Sequence, residues 1–165
     1  MTNNTVAGTR TVARATFGYS KAQIRKHMLS SSKNRKILNR LGNCANYKII
    51  FEAVGSSNCS LKIRKGDKFV FSATGLYLPD ESTANPCLQA IANFVSVLYI
   101  VCERVLEGLD PDALLGVQYV QCQDIGVENG GWGKTVYKVK CIRDPHDKAA
   151  LLDRKFTANM RRRSS

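Results

Sequence analysis

The sequence predicts an α+β domain: a small, mainly antiparallel sheet packed by one long buried helix, with basic extensions at both ends. Three observations carry that reading. Runs of β-branched and aromatic residues, separated by turn clusters, lie on both sides of a single long apolar segment, so strands precede and follow one helix. Charge is partitioned: residues 1–48 hold ten Lys/Arg and no acid, residues 49–142 hold eight basic and ten acidic side chains, and residues 143–165 hold seven basic and three acidic. A length of 165 residues fits one domain with appended segments and is enough to bury a core without disulfide or metal. The expected division is a basic arm with a short helix (1–43), an α+β core (44–143) and a basic tail (144–165).

Residues 1–18, rich in Thr, Ala, Asn and Arg, read as an arm ordered only by a partner. Their Arg-rich, acid-free composition also fits a transit peptide, and no apolar run marks a secretory signal. Ser20 and Gln23 have capping-box spacing, so a short helix is expected over 21–29. The serines at 30–32 interrupt it, and a second helical stretch runs from Lys33 toward Gly42. Ile24, Met28, Ile37, Leu38 and Leu41 form a narrow apolar stripe, and cations cover the rest.

The segment YKIIFEAV (47–54) reads as a strand and 55–58 as a turn. Residues 61–64 (LKIR) alternate as a further short strand, Gly66-Asp67 turns, and KFVFSA (68–73) is the next strand. Residues 75–84 contain Pro79 and two acids and read as a loop. Asn85-Pro86 opens the clearest helix, Asn as the cap and Pro where no N–H is needed. It runs to about Glu107, with Gly108 just past the end. Apolar on most sides, it is expected to be buried, across a sheet or in a subunit interface. Asn93 and Ser96 interrupt it, and it reads as too short for a membrane span. Residues 117–124 and 134–142 alternate at period two around a glycine-rich turn and predict a hairpin.

No catalytic signature is present. GGWGKT (130–135) imitates a phosphate loop, but Glu128 stands where the motif needs its first Gly, and a strand follows where a helix is required. His27 and His146 have no two-His metal spacing, and no nucleophile elbow occurs. The six cysteines contain no CxxC, which removes zinc-ribbon, thioredoxin-like and ferredoxin-like patterns. Cys87 and Cys102 share the helix but lie about 22 Å apart along it. Cys87 falls near the helix start, where free N–H groups and the macrodipole favour a thiolate. Cys59, Cys87 and Cys122 could converge at one end of the sheet, and with Asp67 or Asp124 bind zinc or iron or form a redox centre. Against that stands the frequency with which cysteines simply fill cores.

Tyr47, Phe69, Phe71, Tyr119, Trp132 and Tyr137, interleaved with Lys48, Lys62, Lys68, Lys138 and Lys140, could stack bases if they share one sheet face. Strand aromatics more often fill cores, and this part of the chain is near neutral. The basic ends are the other route to nucleic acid, or to an acidic protein: Arg25, Lys26, Arg35, Lys36, Arg40, Arg161, Arg162 and Arg163 are the candidates.

From Tyr47 to Cys141 the order of features resembles a small, functionally uncharacterised family of prokaryotic proteins, many from anaerobes. The residues that carry the resemblance are YKIIFEAV, Cys59, Gly66-Asp67-Lys68-Phe69, Pro86-Cys87-Leu88-Gln89-Ala90 and Val120-Gln121-Cys122-Gln123-Asp124. The chain departs from the family pattern in lacking a Pro after Cys122 and in its basic ends. The resemblance implies a small α+β domain and a functional role for Cys59, Cys87 and Cys122, with no activity attached. The leading functional expectation is a cytoplasmic, non-catalytic accessory domain that docks on a larger protein or on its own copies. Two others stand beside it: a Cys-dependent metal or redox protein, and RNA binding through the basic ends.

Overall fold

The computed structural model describes residues 18–44, 46–114 and 116–144. Two compact units result, one containing the N-terminal helices and the other spanning Tyr47–Arg143. The arm before residue 18, the tail after 144, His146 and Arg161–Arg163 lie outside the described residues.

In the first unit, α1 (Lys21–Ser30) and α2 (Ser32–Cys44) are separated by Ser31 alone, which holds an extended backbone. The capping box forms: Gln23 N–H donates to Ser20 Oγ, and Ser20 N–H donates to Gln23 Oε1. Ile24, Leu38 and Leu41 make a small core, with Tyr19 and Met28 packed on it. Ile37, expected in that stripe, is exposed. α2 continues past Gly42 to Cys44, because a glycine inside a helix costs only about 1 kcal/mol and does not by itself end one.

The second unit is a four-stranded antiparallel sheet with α3 (Leu88–Glu107) against one face. The strands β1 (Tyr47–Ser57), β2 (Lys68–Ser72), β3 (Tyr119–Gln121) and β4 (Lys134–Arg143) stand in the order β2-β1-β4-β3. Register follows the two-residue alternation: Phe51 faces Phe69 and Val139, and Ile49 faces Phe71 and Cys141. These side chains form the inner face. The outer face carries Glu52 between Lys68 and Lys138, its carboxylate 2.6 Å from Lys140 Nζ. That bond, with the Lys140 charge, holds Glu52 below the usual carboxylate range.

Phe69, Phe71 and Tyr137 are buried on the inner face, away from the lysines. Tyr119 is the exception: exposed and opposite Lys138, it lies on the lysine face. Residues 61–64 are not a strand. Their alternation reflects one buried residue, Ile63, in a turn where Lys62 holds a left-handed backbone at φ 57°. The ladder beside β1 is closed at that point by Gly66 and Asp67, which exchange backbone bonds with Ala53.

α3 begins two residues later than Pro86 suggested. Cys87 is extended and is the cap, its carbonyl accepting from Ile91 N–H at 2.9 Å. Gly108 ends the helix in the left-handed conformation, as its position predicted. By length and composition alone its 20 residues are enough to cross a bilayer, where the sequence reads as too short for a span. Here its inner stripe of Ala90, Phe94, Val97, Val101 and Val105 is the core of the domain. The sheet does not cover the outer stripe: Leu88, Val95, Tyr99 and Ile100 are exposed.

Phe94 is the centre of this packing. Its ring stacks on Phe51 with centroids 3.9 Å apart and meets Phe69, Phe71 and Tyr137 edge-on. Phe94→Ala should lower unfolding stability in urea by about 3–5 kcal/mol, from lost burial and the cavity left. Ile100→Ala, on the outer stripe, should change it by about 0.5 kcal/mol.

Candidate thiol site

Three separate elements deliver cysteines to one end of the sheet. Cys59 lies in the turn after β1, Cys87 caps α3, and Cys122 directly follows β3. All three line a single cavity of about 30 Å³, together with Tyr137, Thr135 and Asp124. A cavity that size holds one or two water-sized atoms. Local pairing fixes each wall. Cys122 N–H donates to Thr135 O, and Thr135 N–H donates back to Cys122 Sγ at 3.3 Å. Gln123 N–H donates to Gln89 O, and Asn93 Nδ2 to Gln121 O, so the end of β3 is tied to the start of α3.

Tyr137 is fully buried, and its hydroxyl has no hydrogen-bond partner. Burial pushes the phenol far above its usual range, and charge on Cys122, Cys87 or Cys59 would push it further. Thr135 pulls the other way without meeting hydrogen-bond geometry; its hydroxyl is 3.1 Å from Ser56 Oγ. The phenol is therefore a neutral donor held against the thiols. Leaving such a group unpaired costs about 1–3 kcal/mol. An acceptor in the cavity, such as a thiolate sulfur, would remove that cost.

Asp124 performs a different task from ligation. Its carboxylate accepts from Gly126 N–H at 3.1 Å, Trp132 N–H at 3.0 Å and Gly133 N–H at 3.1 Å, closing the loop between β3 and β4 into a clasp. A side chain at Gly131 would collide with that carboxylate, and Gly126 sits at φ 85°, so both glycines are required. The clasp presents Trp132 at the cavity wall with its ring 83% exposed. Asp67 is likewise spent on a turn, accepting from Arg64 N–H at 2.7 Å. Among the described residues, no three His, Cys, Asp or Glu side chains are placed to hold one metal ion. The three cysteines named as metal ligands thus share a cavity that Asp124 also lines, while Asp67 is not part of its wall.

The other cysteines differ in setting. Cys44 and Cys141 are buried, and Cys102 is on α3, distant from the cavity end. Burial pushes the Cys141 thiol up to about 12, with Asp112 and Asp110 adding to the shift. Of the basic candidates, Arg25, Lys26, Arg35 and Lys36 are exposed and Arg40 is half-buried, on the two N-terminal helices. The order of elements along the chain suggested the three thiols. It did not reveal Tyr137 or Trp132, because an orphaned hydroxyl and a ring held outward are properties of packing.

No protein-family model, curated protein or solved structure matches the chain. The backbone N–H bonds hold Asp124 below the usual carboxylate range, the Gly126 bond most strongly. Its contribution to stability is present above the unfolded-state value near 3.9 and is lost as pH falls through the lower folded value. Trp132 is the single tryptophan. Its fluorescence should therefore change in a transition below about pH 3.9, and Asp124→Ala should show the acid-form signal already at neutral pH.

Proposed function

We propose that this protein is a thiol-dependent redox module in which Cys59, Cys87 and Cys122 cycle between thiols and a disulfide. The observation that carries the reading is their convergence from three elements on one small cavity, against the unpaired hydroxyl of Tyr137. A thiolate is the species that both attacks disulfides and accepts the phenol's hydrogen bond. Oxidation removes two protons and two electrons from two of the thiols, delivered to a two-electron oxidant such as diamide.

Mass-spectrometric mapping after diamide treatment should find a disulfide joining two of Cys59, Cys87 and Cys122, with Cys141 unmodified. Stoichiometric zinc or iron in anaerobically purified protein, lost on Cys→Ser change at these positions, would replace this reading with a metal centre. Tyr137→Phe keeps the ring in the aromatic cluster. It should slow alkylation of the cavity thiols about tenfold at neutral pH, the equivalent of about 1.4 kcal/mol.

The outer stripe of α3 favours a second reading, a domain that docks on a protein through Leu88, Val95, Tyr99 and Ile100. In the absence of a partner this face should associate with itself. Sedimentation equilibrium should then show concentration-dependent self-association that Ile100→Asp abolishes, and a monomer at all concentrations would count against the stripe.

A further inference from the structure

The thiol cavity is far smaller than any organic disulfide. At about 30 Å³ it admits a sulfur atom and little else. Whatever carries the reacting sulfur must therefore lie on the protein surface while the sulfur enters. The chemistry of the rim consequently selects the substrate.

An aromatic ring lines the cavity, and a cationic turn adjoins it. The turn that supplies Cys59 and Ile63 to the cavity wall also carries Lys62, Arg64 and Lys65, all exposed. Among the described residues none of the three has an ion-pair partner. Asp67, the acid of the same turn, is bonded to Arg64 N–H. Lys134, on the cavity wall, is neutralised by Glu128 at 2.7 Å. Trp132 also lines the cavity, largely in solvent and with its backbone locked by Asp124. The surplus of positive charge next to the thiols is at odds with the rest of this domain, where acids outnumber bases.

We propose that the substrate is a disulfide flanked by carboxylates, reduced by thiol exchange: it docks by its carboxylates on Lys62 and Arg64 and rests on Trp132. The proposal rests on the redox reading above and adds the substrate class and the order of attack. Cys59 and Cys87 are half-buried and Cys122 is buried. A thiolate from Cys59 or Cys87 attacks one substrate sulfur, forming a mixed disulfide and expelling the other substrate half as a thiolate. Cys122 then attacks the mixed disulfide, closing a protein disulfide and releasing the second half. Two protein thiols are oxidised to one disulfide, and one substrate disulfide is reduced to two thiols. The Tyr137 hydroxyl donates to whichever sulfur carries the charge in the cavity. Glutathione disulfide and an exposed disulfide in an acidic protein segment share this chemistry.

The test is single-turnover exchange of the reduced full-length chain with three disulfides: oxidised glutathione, a disulfide-linked acidic peptide, and cystamine, which carries ammonium groups instead of carboxylates. At low salt both anionic disulfides should react at least about tenfold faster than cystamine, as expected for charge steering, and the gap should shrink as salt rises. Lys62→Glu with Arg64→Glu, changed together on the surface, should abolish or invert the preference. Cys122→Ser should stall at one glutathione adduct per chain, on Cys59 or Cys87. If Trp132→Ala slows the peptide more than glutathione, the acidic protein segment is the source. If both slow alike, the small disulfide suffices. Equal rates for cystamine and the anionic disulfides would overturn the substrate class while leaving the redox reading intact. No exchange with any of the three would overturn both.

Discussion

Phe94 lies flat on Phe51 and edge-on to Phe69, Phe71 and Tyr137, and that one insertion holds the helix of the core to three strands of its sheet. The phenylalanine comes from the second turn of α3, four residues after the first-turn Ala90, so the helix start is clamped more firmly than its end. Cys87 caps that same end. Tyr137 belongs to the aromatic cluster by its ring and to the thiol cavity by its hydroxyl. The core and the site thus share a residue. A rigid ring fixes where the hydroxyl points, which makes it a positioned donor rather than one free to find a partner elsewhere.

The loop between β3 and β4 is held differently, by a carboxylate instead of by apolar contact. Asp124 satisfies three backbone N–H groups that a glycine-rich loop would otherwise leave to water. This explains how a segment with three glycines among residues 130–133 can hold an exposed tryptophan in place. Oδ1 accepts two of these bonds and Oδ2 one, so most of the acceptor capacity of the carboxylate is used within the loop.

The sheet and its core helix were legible because their signals are periodic. Alternation in 47–54, 68–73 and 134–142 survives in the structure as strands, and the Ser20–Gln23 spacing survives as a capping box. Failures arose where one residue imitated a pattern. Ile63 alone made 61–64 look like a strand, and Pro86 looked like a first helical residue although the helix waits for Leu88. α3 is apolar on most sides, and the sheet covers one of them, leaving Leu88, Val95 and Tyr99 exposed. Of the aromatics that looked interleaved with lysines along the chain, the pleat turns Phe69, Phe71 and Tyr137 inward and leaves Tyr119 opposite Lys138, since alternate residues of a strand face opposite ways. The convergence of Cys59, Cys87 and Cys122 was legible as a possibility from topology, because each follows or precedes an element ending on the same side. Their shared partner was not, because nothing in a sequence marks a tyrosine whose hydroxyl lacks an acceptor.

Environment separates the six thiols into different chemical kinds. Cys141 sits on the inner face of β4, where burial and the nearby Asp112 carboxylate disfavour charge, and Asp112 accepts the backbone N–H of the same residue at 2.8 Å. A thiolate there would lose hydration and face a like charge, so this sulfur is a packing atom. At the cavity the surroundings differ: Cys122 Sγ accepts a backbone N–H, and a neutral phenol lines the same wall. Cys141 and Tyr137 are both on β4, on the same face and two pleat repeats apart. One strand thus carries a buried sulfur that burial keeps neutral and, four residues earlier, the hydroxyl that lines the thiol cavity.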